Sequence, residues 1–189
     1  PYFDFYNYSG LQRPVKLLCL PKEQIVDFTV NHHLNGRDAD VEYTVETNGS
    51  HNCIVEVYDK EGIKVAESVG KKGNLHIENV HLWDVHKSYL YHFVIRIMDN
   101  ENVLDEYFEK IGVRVFEIKD GKFLLNGKSV YLKGFGKHED SDLRGRGLDL
   151  VTIKRDYECM KWIGANCFRT SHYPVSYTHL RAHETTLHL

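Results

Sequence analysis

Gly134-Phe-Gly-Lys-His-Glu-Asp140 and Asn166-Cys-Phe-Arg-Thr-Ser-His-Tyr-Pro174 are the two segments on which the reading of this chain turns. Each goes with a short apolar run, Ser129 to Lys133 before the first and Ala165 to Phe168 in the second. Between them Leu150, Ile153, Tyr157, Met160 and Ile163 recur at three- and four-residue spacing, which predicts an amphipathic helix. Asp149 stands where an N-cap belongs, and Gly164 where a helix stops. Strand, helix and strand in that order make one crossover, and a crossover implies parallel strands. Polar side chains just past the ends of successive parallel strands are how an α/β barrel builds a site. A whole barrel takes about 250 residues, so the expectation is a barrel cut short after its first strands.

Upstream the pattern is all β. Ile25 to Val30, Ala39 to Glu46, Cys53 to Tyr58, Ile63 to Ala66, Asn74 to Val80, Tyr89 to Met98 and Leu104 to Val115 read as strands, seven or eight in all. Ala39, Val41, Tyr43 and Val45 alternate with Asp40, Glu42, Thr44 and Glu46, the signature of a strand with one wet face. Asn48-Gly49 and Asp59-Lys-Glu-Gly62 mark turns. Short strands at regular spacing predict an immunoglobulin-like sandwich over residues 21–115. Trp83 is expected to plug its edge. Asp120-Gly121 and Asn126-Gly127 predict a hairpin after Phe116. Residues 1–20 end in a predicted strand, Val15 to Leu20, after an aromatic cluster with no local packing partner. They read as the end of an earlier domain.

The chain has 189 residues, 42% hydrophobic and 27% charged, enough for a packed core. A net charge of −3 with no basic stripe argues against nucleic acid as a partner. No apolar run is long enough to span a bilayer, so no membrane partner is expected. Cys19, Cys53, Cys159 and Cys167 form no C-x-x-C pair. They are expected to be reduced and buried, in keeping with a reducing, cytoplasmic compartment. The chain opens on Pro1 in mid-pattern, so a signal peptide could have preceded it.

Residues 175–189 continue no pattern. His179, His183, Glu184 and His188 suggest a metal site, but His188 falls one residue too late for H-E-x-x-H. No metal and no cofactor is expected. This tail resembles the translation of a sequencing adapter and is expected to be non-native.

Gly134-Phe-Gly-Lys-His-Glu-Asp, Asp142-Leu-Arg-Gly-Arg-Gly and Trp162-Ile-Gly-Ala-Asn-Cys-Phe-Arg-Thr-Ser-His-Tyr-Pro together resemble glycoside hydrolase family 2. Within it they are most similar to bacterial members that hydrolyse β-glucuronides. Asp4-Phe-Tyr-Asn-Tyr-Ser-Gly-Leu-Gln-Arg-Pro-Val is similar to the end of the family's jelly-roll domain. The resemblance implies a mixed fold: the end of a jelly roll (1–20), the immunoglobulin-like β-sandwich (21–115) and the start of an (α/β)8 barrel (116–174). It implies substrate-binding roles for Asp4, His138 and His172, and a site-supporting role for Arg169.

The implied chemistry is retaining hydrolysis of a β-glycoside by two glutamates about 5–5.5 Å apart. In the family both lie further along the chain than Pro174, so Glu139 is neither of them and no catalytic residue is assigned here. The 189 residues alone are therefore expected to be inactive, while the whole protein is expected to be a homo-oligomer. A β-galactoside-hydrolysing member is the alternative within the family. A non-catalytic carbohydrate-binding sandwich is the alternative outside it, and it leaves the strand–helix–strand unit unexplained.

Overall fold

The computed structural model describes residues 9–11, 15–85, 87–138, 140–147 and 149–171. They form two compact units by contact, one spanning Leu18–Val130 and one that includes residues from Tyr131 onward.

The first unit is a sandwich. Its strands are β1 (Ile25–Asn35), β2 (Asp38–Thr47), β3 (Asn52–Tyr58), β4 (Lys64–Val69), β5 (Lys72–Ile77), β6 (Tyr91–Asp99) and β7 (Asn102–Ile111). One sheet has the order β1-β2-β5 and the other β4-β3-β6-β7. Every neighbouring pair is antiparallel. The alternation in β2 is realised: Ala39, Val41, Tyr43 and Val45 are buried. They meet Val55 and Val57 of β3 and Phe93, Ile95 and Ile97 of β6 in one core. Phe28 bridges the two sheets, its ring 6.4 Å from Tyr43 and 6.0 Å from Phe93. The buried Tyr43 hydroxyl donates to Ser68 Oγ at 2.9 Å, which removes the cost of an unpaired polar group.

A small antiparallel sheet follows in the same unit: β8 (Phe116–Lys119), β9 (Lys122–Leu125) and β10 (Lys128–Ser129). Its turns are those the sequence predicted. Asp120 and Gly121 have φ of 50° and 69°, and Asn126 and Gly127 have 51° and 74°. Two consecutive positive φ values are what a two-residue type I′ turn requires. Asn126 also ties the sheet down. Its Oδ1 accepts from Val115 N at 3.0 Å, and its Nδ2 donates to Trp83 O at 2.9 Å. Trp83 lies so close over Gly112 that a Cβ there would sit 2.8 Å from its ring. The Arg114 guanidinium stacks on the Trp83 ring at 4.6 Å.

The second unit contains one crossover: β11 (Gly134–Lys137), α1 (Leu150–Trp162) and β12 (Cys167–Thr170). β11 and β12 are parallel, with Gly134 opposite Cys167 and Lys137 opposite Thr170. Asp149 caps α1 by accepting from Val151 N and Thr152 N at 3.1 and 3.2 Å. The helix ends in a full Schellman motif. Gly164 takes φ of 76°, its N–H donates to Lys161 O at 3.0 Å, and Ala165 N–H donates to Met160 O at 2.9 Å. Ile153, Tyr157 and Met160 form the buried face of α1, against Ala165 and Phe168.

Three expectations are corrected. Val15 to Leu20 form no strand, and Val15, Leu17, Leu18 and Leu20 are all exposed. Strand propensity needs a hydrogen-bonding neighbour, and no described strand pairs with this segment. The first barrel strand is Gly134–Lys137, not Ser129–Lys133. Ser129 instead closes the small sheet through its pairing with Leu124. Of the cysteines, all four are free, but only Cys53 is buried; Cys19 and Cys159 are exposed. An apolar neighbourhood in sequence does not fix which face of an element a residue takes.

Candidate functional site

The shift of the first strand changes how the Gly-Phe-Gly-Lys segment works. Gly134 and Gly136 are the strand, and their lack of a side chain lets β12 come close. A Cβ at Gly134 would stand 2.0 Å from Cys167 O, and one at Gly136 would stand 2.6 Å from Ser171 Oγ. The pairing runs on past β12, since Ser171 N donates to Lys137 O at 2.9 Å. At the other end the Asn166 side chain extends it. Its Oδ1 accepts from Lys133 N at 2.7 Å and its Nδ2 donates to Tyr131 O at 2.9 Å. Both ends of the strand pair are thus pinned, and the residues just beyond the C-terminal ends have fixed starting points.

Lys137, the last residue of β11, is buried at 6% exposure. Its ammonium lies 2.7 Å from Asp156 Oδ2 on α1 and donates to His138 O at 3.0 Å. A buried ammonium is tolerable only with such partners. The contact holds the helix to the strand end and fixes the backbone from which His138 projects.

The next residues form a charged loop. His138 Nδ1 lies 3.7 Å from Asp140 Oδ2, and Arg146 Nε lies 3.4 Å from Asp140 Oδ1. The loop closes on itself because Ser141 and Gly145 exchange both backbone hydrogen bonds at 2.9 Å. That closure returns Arg146 to Asp140. Asp140 is only 15% exposed and sits between a histidine and an arginine. On the second strand, Arg169 lies opposite Gly136 and is exposed.

The structure therefore places His138 just past the end of β11 and Arg169 within β12, on neighbouring parallel strands. Asp4 and His172 lie outside the described residues, as do Glu139 and the 175–189 tail. His172 directly follows Ser171. Sequence reasoning passed over Lys137, Asp156, Asn166 and Ser171. All four became meaningful only once the strand register and the packing of α1 were known. Chemically the cluster is a hydrogen-bonding surface. Asp140 and Asp156 both face cations, so neither is a free carboxyl over an open position. A histidine and an arginine beside paired acids suit the binding of hydroxyls and carboxylates. Among the described residues no group of three His, Cys, Asp or Glu side chains could hold a metal ion. No described helix is long and apolar enough to cross a membrane.

Residues 18–114 match the family described as glycosyl hydrolases family 2, and residues 116–184 match that family's TIM barrel domain. The β-glucuronidase of Canis lupus familiaris is 42% identical over 185 residues, covering 93% of this chain and 28% of that protein. The β-glucuronidase of Paenibacillus borealis is 39% identical over 177 residues, covering 93% of this chain and 30% of its own length. The solved structure of Ruminococcus gnavus β-glucuronidase in complex with D-glucuronic acid superposes with a TM-score of 0.93 at 52% identity. That match covers 98% of this chain and 32% of the solved one. The chain thus spans about a third or less of the length of these relatives.

Proposed function

The chain belongs to glycosyl hydrolase family 2, and from that premise we propose that it supplies the sandwich and the first barrel strands of a retaining β-glucuronidase. The observation that carries the reading is the pinned parallel pair β11–β12, with His138 at one strand end and Arg169 on the neighbour. Strand ends of that kind form the mouth of a barrel, where substrates bind.

In this reading His138 and His172 line the sugar pocket and Asp4 reaches the same hydroxyls. Arg169 supports the electrostatics around the nucleophile. The Asp140 carboxylate faces His138 and helps to orient the imidazole. The Lys137–Asp156 pair holds the strand end still, which matters because small misplacements are costly in an active site. The two catalytic glutamates of the retaining mechanism, about 5–5.5 Å apart, belong to the remainder of the barrel. A glucuronide is favoured over a galactoside by the identity of the relatives. A cytoplasmic location is supported by the four free thiols. Assembly of the whole protein as a homo-oligomer belongs to the same reading and is checked by its mass in solution.

The decisive experiment grafts residues 15–171 into Ruminococcus gnavus β-glucuronidase in place of its matching segment. Hydrolysis of an aryl β-D-glucuronide and of an aryl β-D-galactoside is then compared. The expected result is glucuronide turnover with little galactoside turnover. His138→Ala should lower kcat/KM by about tenfold or more, the scale of one lost buried hydrogen bond. A folded graft that prefers the galactoside, or that is indifferent to His138→Ala, would contradict the proposal.

A further inference from the structure

One end of the sandwich unit carries a second polar cluster, unrelated to the strand ends described above. It borders a cleft of about 480 Å³ lined in part by Glu23, Asn48, His51 and Asp99. The segment entering β1 is fastened there at several points. Asn48 Oδ1 accepts from Gln24 N at 2.8 Å, and Asn48 Nδ2 donates to Lys22 O at 3.1 Å. Ile25 N donates to Asp105 Oδ2 at 2.8 Å. The Glu23 carboxylate lies flat against Gly49, where a Cβ would sit 1.8 Å from its carboxyl carbon. There it accepts from His51 N at 2.9 Å and faces His51 Nδ1 at 2.7 Å. On the far side of the ring, Nε2 lies 3.7 Å from Asp99 Oδ1. The polar atoms engage one another, so the cluster is built as a fastening rather than as a ligand site.

We propose that Glu23, His51 and Asp99 form a protonation-dependent clasp, which holds the segment entering β1 onto β3 and the β6–β7 turn and slackens when His51 loses its proton. Glu23 is 17% exposed and accepts, so Nδ1 must carry a hydrogen whatever the charge of the ring. Protonation is therefore read at Nε2. The imidazolium presents an N–H to Asp99. The neutral ring presents a lone pair to the same carboxylate, and attraction turns to repulsion.

The groups facing the imidazole from each neighbouring element are few. Glu23 comes from the entering segment and Asp99 from the end of β6. Lys71 comes from the β4–β5 turn, where its ammonium donates to Gly49 O at 2.6 Å. The hydrogen bond to Glu23 is the main cause that pushes the His51 pKa up. Burial works against it, the charges of Glu23 and Asp99 add to it, and Lys71 opposes it. The same hydrogen bond holds the Glu23 carboxyl below its ordinary value.

The sign of the effect follows from linkage. His51 binds its proton more tightly in the folded chain, so its contribution is complete below its ordinary pKa of 6.5 and disappears as pH rises through the raised value. Glu23 contributes fully above its ordinary 4.5, and its share is lost as pH falls through the lowered value. The clasp is tightest between those two ordinary values.

The test uses the full 189-residue chain, with the His51 ring signal assigned by its loss in His51→Gln. His51 should titrate above 6.5. Amide protection at Ile25 and His51, corrected for intrinsic exchange, should fall several-fold between about pH 6 and 8.5, across the range in which histidine changes charge. Asp99→Asn should lower the His51 midpoint and flatten that fall. An unshifted midpoint in wild type, or protection that does not vary with pH, overturns the clasp even if the His51→Gln variant fails to fold.

Discussion

Gly134 shows how much one missing side chain can carry. The backbone of β12 passes where its Cβ would be, 2.0 Å from a carbonyl oxygen that cannot move without parting the strands. Gly134→Ala is therefore expected to weaken the β11–β12 pair by about 1–3 kcal/mol, the usual cost of overpacking. Hydrogen exchange at the β12 amides measures it, and unchanged protection there would contradict the account. Lys137 is the complementary case, since its ammonium is buried and Asp156 is its carboxylate partner. Both residues lie in segments the sequence had marked as important, but for another reason. A glycine next to a candidate histidine reads as a loop until its neighbour across the sheet is known.

At the level of elements, the signals that were read well are those made locally. The Asp120-Gly121 and Asn126-Gly127 turns, the Asp149 cap and the Gly164 stop all depend on residues within a few positions of one another. Asp149 offers a direct check. Backbone hydrogen bonds from Thr152 are the main cause that holds its carboxyl below the ordinary range, with Val151 adding to it and burial opposing it. A lowered carboxylate pKa means that the cap acts fully above the ordinary value of 3.8 and is lost as pH falls through the folded value. Asp149→Ala should reduce protection of the first-turn amides of α1 at neutral pH and abolish the acid dependence of that protection. Equal protection in both proteins at pH 7 would refute the role. The strand readings failed where pairing decided the outcome: Val15 to Leu20 had the composition of a strand but no described partner.

At the scale of the molecule, the unit that contains the sandwich reaches to Val130, and Asn126 is the reason to expect it to behave as one piece. Its side chain lies beyond the point where the sandwich pattern ends in sequence and bonds back to Val115 and Trp83 within it. Limited proteolysis should therefore leave a core that ends near Val130 rather than near Val115. Asn126→Ala should move the boundary back toward Val115, read by the mass of the resistant fragment. A wild-type core that ends at Val115 would show that the small sheet is not held by these contacts.

Alternation, turn chemistry and helix caps were enough to predict a β region of seven or eight strands followed by a strand–helix–strand unit, because each acts over short stretches of chain. The motifs Gly134 to Asp140 and Asn166 to Pro174 were enough to point to the family, because long runs of specific residues seldom recur by chance. Which residues form the first parallel strand, which lysine is buried, which cysteines face solvent and how His51 meets Glu23 and Asp99 were beyond such reading. Each depends on a partner distant in sequence. Glu23 lies 28 residues from His51, and Asn166 lies 33 from Lys133. Only packing and strand register bring such pairs together.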